Sequence, residues 1–438
     1  MTRHGTSASP PRTAGTVGTA RISVAKARNA GAKGRAARLP RIRVRKDTAS
    51  GDATRADVYR WELRKIVRFP ALWALLALCL ALNSWAILSS AGGLSGWRSD
   101  LAYTAQVAQR LGTTVDDRFV AALEAEPVSD ERDGLLHYIQ SALGPGYAGW
   151  DPIAAGDRYA AKLNDQGHPH LALQMQIKAQ WIQPRAEHLA SAGLTNDLLA
   201  GRVTTLMHSV NATLIQVLLL EGMVLGSLIV LYAVCGERFH RMTALTNASR
   251  AGRRLMTRKL IVGIGCALAA YTILAAGFAI ASLLSFRIPG LWSGNVSSRM
   301  FGMATDAGLQ PFITWTDFTM GGYLLAMLAL GALFTLAFTL FAGALGMALG
   351  NVLAAFGGVM GFAAAGLIAM MFVSDALAYQ LLGLQPMYAL ANANAWFSDM
   401  GTHAVIPWQE TVVTLISAIY FAIALIVARK AYSRKDLT

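Results

Sequence analysis

Six long apolar runs, at residues 69–90, 206–235, 260–286, 321–343, 352–373 and 412–428, govern what this chain can fold into. Five of them contain no Asp, Glu, Lys or Arg, so they cannot present a polar face to water as an amphipathic helix does. A helix rises 1.5 Å per residue, and a stretch of about 20 apolar residues crosses a hydrocarbon core of about 30 Å. Lipid offers the backbone no hydrogen-bond partner, so each crossing segment must satisfy its own N–H and C=O groups. The expected fold is therefore all-α: a polytopic membrane protein with six transmembrane helices. Only 15% of the residues are charged, against roughly 25% in soluble domains, which agrees with that class. The sixth run is the shortest, and Trp408 before it and Tyr432 after it suit interfacial anchoring. Between the fourth and fifth runs, residues 344–351 are themselves apolar and are expected to form a short cytoplasmic turn, with a re-entrant hairpin as the alternative.

Charge sets the expected orientation. Residues 1–68 hold seventeen Lys/Arg against four acids, 236–259 hold seven against one, and 429–438 hold four against one. By contrast, 91–205 carry nine bases against thirteen acids, and 374–411 carry three acids and no base. Bases thus fall on alternate sides of the runs, as the positive-inside rule requires. Both termini and the 236–259 loop are expected in the cytoplasm. The 91–205 segment, the 287–320 loop and the 374–411 segment are expected outside. The net charge of +14 reads as this topological signal, and no nucleic-acid partner is expected.

The flanking segments have their own character. Residues 1–55 are rich in Arg, Ala, Gly, Ser and Thr, the composition of a disordered basic tail. Arg41, Arg43, Arg45 and Lys46 suit anionic lipid headgroups, while a start of translation near Val58 is the competing reading. A secretory signal peptide is not expected, because the first apolar run begins too deep and runs too long. Residues 91–205 read as a small helical domain. Gly144-Pro145-Gly146 mark a turn in it, Asp116, Ser129 and Thr195 are candidate helix caps, and the last helix is expected to run from Thr195 into the second span. This domain either receives a substrate or partner or simply caps the bundle.

Catalytic and metal motifs are missing. The sequence has no Gly-x-x-x-x-Gly-Lys-Ser/Thr loop, no His-Glu-x-x-His helix and no Gly-x-Ser-x-Gly elbow, so no enzymatic activity and no cofactor are expected. His168 and His170 are two apart, on one side of the chain if it is extended there, but lack a third ligand. Cys79, Cys235 and Cys266 lie in or at the ends of spans and form no readable framework. One intramembrane charge stands out: Glu221, near the middle of the second run. It needs a partner, a proton or water, and Asn83, Gln216 and Tyr271 are the candidate partners. Glycines four apart at Gly222/Gly226, Gly346/Gly350 and Gly357/Gly361 suit close helix approach, and the fifth span is expected to be the most enclosed.

Two cytoplasmic segments carry the most information. Residues 56–68 form a basic amphipathic stretch, Tyr59-Arg-Trp-Glu62-Leu-Arg-Lys65-Ile-Val-Arg68, halted by Pro70. The 236–259 loop runs from Glu237 through Leu245, Gly252, Arg253 and Arg254 to Lys259, too long for a simple turn. Together they resemble the permease subunits of ABC-2 type transporters, notably a Gram-positive-like branch with a large external insert between the first two spans. Those proteins often open on a Tyr-x-x-Glu-Leu-x-Lys helix, matched here by Tyr59, Glu62, Leu63 and Lys65. Their loop after the second span carries Glu, a later Leu, Gly-Arg-x-x-Leu and Lys, matched in order by Glu237, Leu245, Gly252, Arg253 and Lys259. Leu255 comes one residue early, and Met242 stands where the family often has glycine.

The resemblance covers the chain from about residue 56 onward. It implies a permease, as exporter, in a bacterial cell membrane, working with a separate ATP-binding subunit and a second permease chain. The 237–259 loop would be the coupling element, and the interfacial helix with Tyr59, Glu62 and Lys65 would lie beside it among membrane lipids. The alternatives are a scaffold or sensor with an external binding domain, and an ion-coupled secondary transporter.

Overall fold

The computed structural model describes residues 53–93, 97–142, 150–239, 254–305, 308–399 and 401–434. Six of its helices are long and apolar enough to cross a membrane. A short amphipathic helix, α1 (Ala53–Val67), precedes the first of them, α2 (Pro70–Gly93). Pro70 sits at the first position of α2, where its missing N–H costs no hydrogen bond. The indole Nε1 of Trp73 donates to Val67 O at 2.6 Å, and the Phe69 ring stacks on Tyr232 at 4.4 Å, so the elbow between α1 and α2 is held on both sides.

The insert follows as α3 (Trp97–Leu111), α4 (Asp117–Glu124), α5 (Asp130–Ala142), α6 (Pro152–Asp165) and α7 (Pro169–Ser191). Asp116 caps α4 by accepting from Phe119 N at 2.7 Å, and Ser129 accepts from Arg132 N at 3.1 Å at the head of α5, both as expected. Thr195 is not the next cap. It lies in a 3-10 turn, and Asp197 accepts from Ala200 N instead, because its carboxylate stands three residues ahead of that exposed donor. The glycine-proline turn at 144–146 lies outside the described residues.

From Asp197 the chain runs into α8 (Leu198–Leu206), a π-helical turn at Met207–Asn211, and α9 (Ala212–Phe239). The candidate span covers Leu198–Glu237, forty residues without a break, longer than the 206–235 read from hydropathy. The third span is α10 (Arg254–Ser285). The 287–320 loop then contains an antiparallel hairpin, β1 (Ser298–Thr305) with β2 (Gly308–Phe312), a small exception to the helical pattern.

The fourth and fifth spans are α11 (Met320–Leu349) and α12 (Val352–Phe372). Only two residues separate them: Gly350, left-handed at φ 67°, ends α11, and Asn351 accepts from Leu353 N and Ala354 N to start α12. The apolar 344–349 stretch is thus absorbed into α11, and no re-entrant hairpin forms. Short helices α13 (Ala376–Leu382) and α14 (Met387–Ala391) lead to the sixth span, α15 (Gln409–Arg434).

Helix α9 packs on α10 and α11, and α11 packs on α15. Gly222 and Gly226 sit where even a methyl group would press on Thr335, Tyr271 and Thr339 of the neighbouring helices, so these glycines do set a close approach. The fifth span corrects the expectation made for it. Only 17% of its apolar window is buried, against 67% for the second span. Gly357 and Gly361 face open space, while Leu353, Met371 and Phe372 point outward. Glycine spacing marks a possible contact face, but a neighbour must arrive to use it. The partly exposed Trp408 ring packs against Phe318 and Phe397.

Candidate functional site at the basic end of the bundle

Helix α1 turns Glu62 and Ile66, one helical turn apart, toward the bundle. Glu62 is 1% exposed, an unusual position for a carboxylate, and the reason is the neighbours it meets. Lys259 of α10, also 1% exposed, places Nζ 3.7 Å from Glu62 Oε1 and makes an ion pair with Glu237 at the end of α9. Lys65, one turn after Glu62, places Nζ 4.0 Å from Oε2. The Lys65 ammonium also lies 5.6 Å from the Trp61 ring centre and 5.9 Å from that of Tyr232. Two acids and two bases from three helices thus form one charge-balanced cluster.

Burial pushes the Glu62 carboxyl up from its ordinary value, against the lowering pull of Lys259 and Lys65. Burial likewise pushes the Lys65 ammonium down, and the charge of Lys259 adds to that. Both directions say that dehydration outweighs pairing here. The Glu62–Lys contacts are longer than hydrogen bonds, and both carboxylate oxygens of Glu62 are buried without one.

Four of the residues singled out by sequence therefore converge: Glu62, Lys65, Glu237 and Lys259. Tyr59 stands beside them, under the Arg258 guanidinium at 5.9 Å. Leu245, Gly252 and Arg253 lie outside the described residues, and Arg254 is the first residue of α10. Tyr232 and Arg258 carry contacts at this site that the sequence reading did not assign.

Glu221 belongs elsewhere, sixteen residues up α9 from Glu237, or about 24 Å along the axis. Asn83 Nδ2 donates to its Oε2 at 2.5 Å, and the Cys79 thiol is also within hydrogen-bond reach. Of the other expected partners, Gln216 donates to Leu390 O and Tyr271 to Leu328 O. Among the described residues no set of three or more His, Cys, Asp and Glu side chains could hold a metal. His168 and His170 do not share an extended segment. His168 sits at the N-cap position of α7 without a side-chain capping bond, its Nε2 meeting Asp375 at 2.6 Å, while His170 lies in the helix.

At the opposite end the insert is clamped onto the loops between spans. Lys178, 2% exposed, pairs with Asp399 at 2.6 Å and donates to Gly401 O and Ala404 O at 2.7 Å each. Arg185 pairs with Asp317 at 2.6 Å and donates through Nε to Thr314 O at 3.0 Å. The Arg185 hydrogen bond holds the Asp317 carboxyl below its ordinary value, and the bond to His168 does the same for Asp375. The sequence signal for Lys178 was present but unread, for it breaks the apolar stripe Met175, Ala179, Ile182 of α7. Glu410, 1% exposed at the head of α15, was missed as well. Its Oε1 accepts from Phe397 N at 3.3 Å, between Phe397 and Trp408, which both adopt left-handed backbone at φ 60° and 59°.

These features define an all-α, multi-pass membrane protein with a helical insert locked on one end and an ion cluster on the other. Comparison of the chain with protein-family models, curated proteins and solved structures returned no match.

Proposed function

We propose that this chain is the membrane-spanning permease subunit of an ATP-driven ABC-type exporter, coupled to a separate ATP-binding subunit through its cytoplasmic 237–259 loop. The supporting observation is the cluster itself. Glu237 and Lys259 bracket the loop and pair with each other, and Lys259 in turn faces Glu62 of the pre-span helix. A push on the loop from a soluble subunit therefore reaches α1, α9 and α10 at once. That is what a coupling element requires, and a scaffold has no use for it. The chain lacks a phosphate-cradling loop of its own, so ATP hydrolysis belongs to the partner. A second copy or a related permease chain completes the pathway, and the bacterial cell membrane is the expected location.

The test is a mild-detergent purification of the tagged chain from its native membrane, with partners identified by mass spectrometry and ATP hydrolysis assayed on the eluate. A stoichiometric ATPase is expected, lost on deleting 246–253 while membrane insertion persists. A chain that comes out without an ATPase overturns the proposal. Glu221 with Asn83 supports one rival, an ion-coupled transporter. Under that rival Glu221→Gln abolishes transport, and no ATPase co-purifies.

A further inference from the structure

Where α1 lies against the bundle it leaves a groove open to the side, with about 580 Å³ of space including its mouth. Leu63 and Val67 of α1, Leu76 of α2, Ile229 of α9 and Cys266 and Ala270 of α10 line it, and no charged side chain enters. Small residues on α10 make the floor, and the half-exposed Trp73 ring forms one edge. A dry, wholly apolar slot in this position suits a hydrocarbon chain.

What selects among hydrocarbon-bearing molecules is the charge at its mouth. On α10, Arg258, Val262, Gly265 and Ala269 follow at i, i+4, i+7 and i+11 and so share one face, and Ala269 lines the groove. Arg258 therefore stands at the basic end of a face that reaches the groove at Ala269, about 16 Å along the axis. That separation is close to half of a hydrocarbon core of about 30 Å. The Arg258 guanidinium rests over Tyr59, and among the described residues no carboxylate pairs with it. Arg60 and Arg64 of α1, and Arg68 just past its end, are exposed. A guanidinium recognises phosphate by charge-assisted hydrogen bonds.

We infer that this groove is a binding site for one anionic phospholipid of the leaflet on the basic side, with an acyl chain between α1 and α10 and its phosphate at Arg258. The inference stands apart from the transporter proposal, because a lipid seat of this kind needs no ATPase.

The test uses the purified full chain in phosphatidylcholine nanodiscs carrying a low mole fraction of brominated phosphatidylglycerol or brominated phosphatidylcholine. Trp73 emission is taken as the difference between wild type and Trp73→Phe. Several-fold stronger quenching by the brominated phosphatidylglycerol is expected, and Arg258→Gln is expected to equalise the two lipids. Equal quenching in the wild type, or a preference unchanged by Arg258→Gln, overturns the site. Native mass spectrometry gives an independent reading on the detergent-purified chain. One retained phosphatidylglycerol is expected for wild type and none for Ala270→Trp, provided the variant elutes as a monodisperse peak. If that variant does not fold, Ala269→Leu replaces it. Retention undiminished by filling the groove refutes the proposal.

Discussion

The two ends of this protein hold distant segments together by ion pairs, yet they do so in opposite styles. At the insert end, Lys178 has an acceptor for each of its three ammonium protons: one carboxylate and two backbone carbonyls. At the basic end, Glu62 is as deeply buried, but its lysines stand at 3.7 and 4.0 Å and its oxygens have no hydrogen bond. A satisfied buried pair has one good geometry, and moving it costs every bond at once. An under-satisfied cluster has several geometries of similar energy, since dehydration has already consumed what pairing returns. The insert is therefore fixed to its loops, whereas at the basic end, among the described residues, Lys259 is in close contact only with Glu237 and Glu62 is left without a hydrogen bond.

The most severe way to break this contrast is Lys178→Ala. It strands a nearly buried Asp399 and frees two carbonyls, and about 3–5 kcal/mol of stability should be lost. Denaturant or thermal unfolding in detergent measures it. A loss below about 1 kcal/mol would put the lock on a par with an exposed pair. The sharpening variant is Glu62→Gln, expected to stay within about 1 kcal/mol of wild type because the lost attraction and the relieved dehydration nearly cancel. If the coupling proposal holds, ATP hydrolysis stimulated by the complex falls at least tenfold in the same variant, separating stability from function.

The smallest effect concerns pH. Asp317 and Asp375 have folded-state values below the ordinary 3.8, so their contribution is complete above that value. It is lost as pH falls through the lower folded value, because protonation then costs the pairs with Arg185 and His168. Hydrogen exchange at 314–317 and 375–378 should accelerate in that acid window and stay flat above it. Acceleration near neutral pH would mean that other groups hold the insert.

The spans were legible because hydropathy is a sum over many residues and tolerates local error. Their number and the helical class follow from six runs, and the cap at Asp116 follows from one side chain three residues ahead of its donor. Enclosure was not legible. Gly357/Gly361 and Gly222/Gly226 have the same spacing, but only the second pair meets Thr335 and Thr339 from another helix. Spacing records what a helix permits, and the partner is written elsewhere in the chain. The ion cluster was half legible, since Glu62, Lys65, Glu237 and Lys259 carried the family resemblance without revealing that they touch. Lys178 interrupts an apolar helical stripe and was readable, whereas Glu410 was hidden because a charge at the head of a span reads as solvated until tertiary contacts bury it.

The unbroken run from Leu198 to Glu237 has a mechanical consequence. Forty residues at 1.5 Å each make a rod about 60 Å long, twice the thickness of the hydrocarbon core. One end is seated in the insert, and the other ends in the ion cluster at Glu237. A rod gripped by Gly222 and Gly226 works as a lever with an arm of about 39 Å toward the insert and one of about 20 Å toward the ion cluster. Tilting it by about 5° displaces the insert-side tip by about 3.4 Å and the cluster-side tip by about 1.7 Å in opposite directions, enough to exchange a 3.7 Å ion contact for a hydrogen bond. The π-helical turn at Met207–Asn211 lies on the insert side of that fulcrum, so it is where the arm would yield first if the clamp refused to move.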